Sequence, residues 1–217
     1  MTKAHDTIEE LVGEVVDSAT AGLVPPPANG TFSPFRYPVF RAIWIANLFS
    51  NLGSTLQSVG AAWLMTELTP SHQLVALVQA SATVPIMLLG VFAGAIADNY
   101  DRRVVMLVSQ VAMLVVSALL AVMAYAGWLT PLLLLTFTLG VGTGTALNSP
   151  AWQASVRQQV DHQQLPQAIA LNSISFNIAR SIGPALGGLL ISIWNPAFAF
   201  AINAVSYVGL IAVLLWW

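Results

Sequence analysis

An all-α membrane protein with six transmembrane helices is the fold this sequence predicts. Three observations predict it. Six apolar runs follow one another, each long enough for the roughly 20 residues that cross a bilayer as a helix. Only 7% of the 217 residues are charged and 57% are hydrophobic, whereas soluble domains carry about 25% charged residues. After Arg41 the charges gather between the runs, with Arg180 as the exception. Each run must be helical, because open backbone in lipid leaves N–H and C=O groups without partners. A β-barrel is excluded, since its strands are about 10 residues long and alternate in polarity.

Residues 1–36 read as a cytoplasmic tail and linker, ahead of a transmembrane domain over residues 37–217. Ile8, Leu11, Val12, Val15, Val16 and Ala19 fall at helical spacing and predict a short amphipathic helix. Its polar face carries Glu9, Glu10, Glu14 and Asp17, which disfavours docking on an anionic membrane surface. Pro25-Pro26-Pro27 ends it.

The spans are expected at about Phe40–Met65, Leu74–Ala97, Val104–Gly127, Pro131–Ala154, Pro166–Ile193 and Pro196–Trp217. Arg36 and Arg41 flank the first, Arg102 and Arg103 separate the second from the third, and Arg157 lies between the fourth and fifth. The alternate loops, at Thr66–Gln73, Trp128–Thr130 and Trp194–Asn195, contain no Lys or Arg. The positive-inside rule then puts both termini in the cytoplasm of a multi-pass protein of the cell (plasma or inner) membrane. Trp128 and Trp194 at one interface and Trp216-Trp217 at the other fit an aromatic belt.

The hinge between the second and third spans holds Asp98, Asp101, Arg102 and Arg103. Asp98 closes a helix, where the dipole is negative, and the arginines open one, where it is positive. Each placement costs roughly 0.3–1 kcal/mol. The charges must be satisfied by each other, by a neighbouring helix, or by their role as a topology signal.

Polar residues inside the spans are the site candidates. Asn47, Asn51, Ser54 and Ser58 recur at i, i+4, i+7 and i+11, on one face of the first helix, with Gln57 beside them. They form either the wall of a water-filled substrate path or interhelical glue. Ser173, Asn177 and Arg180 share a face of the fifth helix. Arg180 lies near its midpoint, where a charge costs roughly 2.5–3.5 kcal/mol and must face protein or water. It is either an anchor to carbonyls and amides or a contact for an anionic or polar substrate. Gly140, Gly142 and Gly144, and Gly183, Gly187 and Gly188, permit close helix approach, and Pro184 removes a helical hydrogen bond.

These residues also carry a family resemblance. Gly94, Asp98, Arg102 and Arg103 form the pattern G-x-x-x-D-x-x-x-R-R, which resembles the loop signature of the major facilitator superfamily. Asn99 stands where a basic residue is usual, and Asp101 where a glycine is. Asn148-Ser149-Pro150-Ala151, Leu165 to Ser173, Asn177-Ile178-Ala179-Arg180 and Gly183-Pro184-Ala185-Leu186-Gly187-Gly188 look like the enterobactin-exporter-like branch. The resemblance covers about Phe35–Trp217. It implies the N-terminal half of a major-facilitator fold, built of two inverted three-helix repeats, although no repeat is visible in the residues. It implies alternating access, a cavity along the first and fourth helices, and a gating loop at Gly94, Asp98, Arg102 and Arg103. The run Gly183, Pro184, Gly187 and Gly188 is similar to an antiporter motif and points to export. The implied partners are the lipid bilayer, a small-molecule cargo such as a siderophore or drug-like amphiphile, and a missing C-terminal six-helix half or a homodimer partner. A coupling proton stays open, because no acid lies within a span and Glu67 and Asp98 stand at span ends.

Other chemistries find little support. There is no Cys, hence no disulfide, thiolate metal site or thiol nucleophile. His72 and His162 fall in loops on opposite sides, and His5 in the tail, so no catalytic constellation or metal site is expected in the membrane. No cofactor is implied. A net charge of −2 gives no nucleic-acid footprint. An intramembrane enzyme is therefore disfavoured, and a non-transporting membrane scaffold remains the alternative. As a half-transporter the chain is expected not to transport alone.

The Cys-free background makes the topology testable. Ser71→Cys should react with a membrane-impermeant maleimide added outside intact cells, and Gln158→Cys should react only after permeabilisation. The reverse pattern would invert the orientation.

Overall fold

The computed structural model describes residues 30–217. The amphipathic segment expected around Ile8–Ala19 and the proline run after it lie outside the described residues. Among the described residues every regular element is helical. A 3-10 turn, Ser33–Arg36, leads into α1 (Pro38–Leu68), α2 (His72–Asn99), α3 (Arg102–Tyr125) and α4 (Pro131–Gln159). A second 3-10 turn, His162–Gln164, precedes α5 (Leu165–Ile193), and α6 (Pro196–Trp216) follows.

Local chemistry sets these boundaries. Pro38, Pro131, Pro166 and Pro196 stand in the first turns of α1, α4, α5 and α6, where a missing N–H costs nothing. Asp101, Thr130 and Asn195 cap α3, α4 and α6 with side-chain oxygens that accept from backbone N–H groups. Gly127, at φ 71°, ends α3. Its N–H donates to Ala124 and that of Trp128 to Met123, the two bonds of a Schellman motif.

Five of the six long helices, α2 to α6, are long and apolar enough to cross a membrane by length and composition. The expectation of six such spans needs that correction. The exception is α1, the longest at 31 residues. Asn47, Asn51, Ser54, Gln57 and Ser58 dilute its apolar character.

Successive helices run antiparallel, as three apolar clusters record. One joins Ala61 and Met65 of α1 with Val78, Leu120, Leu134 and Phe200. At the opposite end, Ala46 packs with Ala97, Met106, Ala151 and Leu214. Phe40, Val156, Val160, Ala168 and Leu171 bind α5 to that same end, where α1 and α3 begin. Two polar contacts reinforce it: Trp44 Nε1 donates to the Leu171 carbonyl at 2.9 Å, and the Tyr37 hydroxyl donates to Asp161 at 2.6 Å. The Asp161 carboxylate holds the Tyr37 phenol above its ordinary pKa, so this contact persists until pH rises through that raised value.

The strongest packing is between α2 and α4, α1 and α6, α3 and α6, α3 and α4, and α1 and α5. Outward faces are apolar, with Met87, Leu88, Val91 and Phe92 of α2 exposed. Bilayer rather than water suits such a surface.

Glycines set the closest crossings. A Cβ on Gly142 of α4 would meet the Ala82 carbonyl oxygen of α2 at 2.7 Å, and one on Gly183 of α5 would meet Thr55 of α1 at 2.5 Å. Gly144 closes likewise on Met113, Gly187 on Val59, and Gly140 more loosely on Val116. Gly188 and Gly94 meet nothing within 4 Å, so neither serves a crossing within this bundle. Gly142→Ala should therefore destabilise by about 1–3 kcal/mol, because the obstructing atoms are backbone. Gly188→Ala should leave the melting temperature in detergent unchanged. Equal melting curves for the two variants would contradict the packing.

Candidate functional site

At the end where α3 begins, the hinge arginines bind other helices. Arg103 donates through Nε to the Leu214 carbonyl at 2.6 Å and through Nη2 to that of Leu215 at 2.7 Å. Arg102 Nη1 donates to the Ala154 carbonyl at 3.1 Å. The Arg103 guanidinium thus meets the carbonyl-rich end of α6, where the dipole is negative, while Arg102 reaches a carbonyl in the C-terminal part of α4. This offsets their unfavourable position at the start of α3. Asp101 is well placed as the α3 cap. Pairing of Asp98 with Arg102 or Arg103, one option the sequence allows, is not what those guanidinium groups do. Asp98 instead shares a cavity of about 550 Å3 with Arg102, Arg157, Ser149 and Gln153.

Two further cavities follow the seam between α1 and α4. The first, about 540 Å3, lies towards the arginine-bearing end. Asn47 and Asn51 of α1 face Asn148, Ser149 and Gln153 of α4 there, and Asn172, Ser173 and Asn177 of α5 close the side. Trp152 and Phe176 supply aromatic surface. The second cavity, about 210 Å3, lies towards the opposite end. Ser54, Gln57 and Ser58 of α1 line it with Gln79 and Thr83 of α2 and Thr138 of α4. Thr145 lines both cavities.

The polar stripe of α1 is therefore divided. Asn47 and Asn51 open into the first cavity, whereas Ser54 and Ser58 open into the second. One helix face serves both because different neighbours flank it at different depths. Asn177 lines the first cavity, but Arg180 lines neither. The Arg180 side chain is exposed and its guanidinium sits 5.4 Å from the centroid of the Phe176 ring, a cation–π distance. Its link to the first cavity runs through that ring.

The α4 wall was not singled out from the sequence. Thr145, Asn148, Ser149 and Trp152 recur at i, i+3, i+4 and i+7, the spacing of one helix face. That signal was available, but the glycines around it pointed to packing. Also missed were buried polar residues behind the seam: Gln110 and Ser117 of α3, and Asn203 and Tyr207 of α6. Among the described residues, no three His, Cys, Asp or Glu side chains group as they would around a metal ion.

Comparison with known proteins gives a consistent picture. The pattern of the transmembrane secretion effector family matches residues 29–217. The staphyloferrin A transporter of Staphylococcus aureus is 34% identical over 167 residues, which are 76% of this chain and 41% of that protein. The enterobactin exporter EntS of Shigella boydii is 28% identical over 177 residues, 77% of this chain and 40% of that protein. The macrolide efflux protein A of Streptococcus pyogenes is 22% identical over 169 residues, 78% of this chain and 42% of that protein. The chain thus spans about two-fifths of the length of these curated relatives. No solved structure matches.

The Arg103 contacts make a stability prediction. Arg103→Gln removes two charge-assisted bonds at the end of α6 and should cost about 1–2 kcal/mol, discounted for partial exposure. The detergent melting temperature should fall accordingly. An unchanged melting temperature would reduce Arg103 to a topology signal.

Proposed function

Because the chain belongs to the transmembrane secretion effector family of the major facilitator superfamily, whose members are transporters rather than enzymes, we propose that it forms the N-terminal half-domain of an exporter working by alternating access. The cargo is a small molecule of the siderophore or drug-like class, as the names of the relatives suggest. The observation that carries this reading is the pair of polar cavities along α1 and α4, set in helices whose outer surfaces are apolar. Glue alone would leave no room between those polar groups.

The packing supports an inverted repeat of the kind found in such half-domains. Exchange of α1, α2 and α3 for α4, α5 and α6 converts the α2–α4 contact into α5–α1, and α1–α6 into α4–α3, and returns α3–α6 to itself. The corresponding lengths are 31 and 29, 28 and 29, and 24 and 21 residues. The arginine-bearing end faces the cytoplasm of the cell membrane, following the loop charges, so the larger cavity takes cargo from the inside. Asp98, with Arg102 and Arg157 around it, serves the gate between α2 and α3. Arg180, held over Phe176, supplies a positive field at the deep end of that cavity. A second half-domain or a second copy completes the path, since binding sites in these folds lie between halves.

The test is export from cells producing residues 1–217 together with the C-terminal half of the staphyloferrin A transporter. Staphyloferrin A, enterobactin and a macrolide serve as cargoes. Export of at least one should depend on the chain. Arg180→Leu should raise the concentration needed for half-maximal export about tenfold, the loss of one charged contact, and Asp98→Asn should slow export at unchanged membrane abundance. If no cargo moves, or if Arg180→Leu acts only by degrading the protein, the scaffold reading takes over.

A further inference from the structure

Arg180 stands near the middle of α5, about 20 Å along the helix from either end. That is too far for its side chain to carry the charge out to an interface. Among the described residues its guanidinium meets the Phe176 ring, 5.4 Å from the centroid, and no carboxylate. The acids of residues 30–217 are Glu67, Asp98, Asp101 and Asp161, all at helix ends or in the turns between helices. A charge at that depth is costly without a counter-charge, and these six helices do not bring one to it.

The ring under that charge belongs to the larger cavity. Phe176 lines it from α5, and Trp152 lines it from α4. Phe176 is 49% exposed, so its ring is open to a ligand. Aromatic rings pack with their centroids about 4.5–7 Å apart, and the guanidinium lies at a similar distance from the same ring. An aryl group set against Phe176 therefore carries its substituent to Arg180. A carboxylate suits a guanidinium because the two planar groups can share two parallel hydrogen bonds. The polar side chains lining the cavity are neutral amides and hydroxyls, which donate or accept and so favour neither sign of charge. The preference for charge comes from Arg180, and the preference for a flat apolar body comes from the two aromatic residues.

We propose that Phe176, Trp152 and Arg180 form a subsite for aromatic anions. The cargo lays a planar ring against Phe176, with Trp152 as a second aromatic wall, and its oxyanion becomes the counter-charge of Arg180. This rests on the transporter reading and narrows its cargo to molecules that carry an aryl ring beside a carboxylate or similar oxyanion. An aliphatic anion gains the ion pair without the stack. An aromatic cation gains the stack and meets a like charge. Binding is reversible and forms no covalent bond.

The test is equilibrium dialysis of residues 1–217 in lipid nanodiscs, with empty nanodiscs as the blank. It is run at about pH 7.5, where carboxyl groups are ionised and amines protonated. The probes are 2-naphthoate, its ring-saturated counterpart decahydro-2-naphthoate, and the cation 2-naphthylmethylammonium. 2-Naphthoate should bind saturably, and the other two about tenfold more weakly or worse. Arg180→Leu should weaken 2-naphthoate about tenfold or more, as expected when a charged hydrogen-bond partner is lost, and Arg180→Lys should lose less. Phe176→Leu should bring 2-naphthoate down towards the saturated probe and leave the saturated probe unchanged, whereas a misfolded chain would lose both alike. If Arg180→Leu fails to fold, the comparison of probes on the wild type and on Phe176→Leu still decides. Equal affinity for all three probes, no saturable binding, or 2-naphthoate binding that Arg180→Leu leaves unchanged would each overturn the subsite. The transporter reading is scored separately in the two-half system above. Export there without 2-naphthoate binding overturns the subsite and spares that reading, and binding without any export overturns that reading and spares the subsite.

Discussion

Everything in this bundle answers to one constraint: a polar group inside a lipid-facing helix must find its partner in protein or in a water-filled space. The backbone meets it by being helical throughout. Side chains meet it in two ways. Most hydroxyls turn back to the carbonyl one turn earlier, as Thr136, Thr138, Thr143 and Thr145 do along α4. Amides have both donors and an acceptor to satisfy, and only some turn back within their own helix, as Asn99 does to the Ala95 carbonyl and Gln159 to Ser155. Others, such as Gln57, Gln110 and Asn203, reach across to other helices, and several line the seam between α1 and α4.

The same constraint orders the charged end. Arg102 and Arg103 begin a helix, where their charge is misplaced, yet the starts of α3 and the ends of α4 and α6 lie side by side because neighbours run antiparallel. A guanidinium at the wrong end of its own helix is at the right end of the next. The hinge thereby ties α3 to two partners, and a shift of α3 relative to α6 would break the two Arg103 bonds together. Asp98 shares its cavity with Arg102 and Arg157.

Much of this was legible in the sequence. Hydropathy gave the helices, three of the expected spans begin at the prolines of their first turns, Pro131, Pro166 and Pro196, and the spacing from Asn47 to Ser58 gave the polar face of α1. Gly142 and Gly183 were recognised as close-packing positions. Three things were not legible. The division of the α1 stripe depends on which helix flanks it at each depth, and that is tertiary. The partners of Arg103 lie more than a hundred residues away. Gln110 and Asn203 sit in runs so apolar that a single amide hardly changes their average, although a lone amide in such a run is costly enough to require a partner. Hydropathy averaging hides the residues that lipid makes most conspicuous.

This also explains why the proposed inverted repeat leaves no mark on the sequence. In one half-repeat pair a long amide on the cavity helix, Gln57, meets a short one behind it, Asn203. In the other, a short amide on the cavity helix, Asn148, meets a long one behind it, Gln110. The combined reach of Gln plus Asn is the same in either order, and each pair bridges two helices. The approach is permitted in each case by a cavity-helix glycine, Gly53 against Asn203 and Gly144 against Met113. What the two units share is hydrogen-bonding capacity, summed side-chain length and small residues at crossings. Aligning residue types would miss all three.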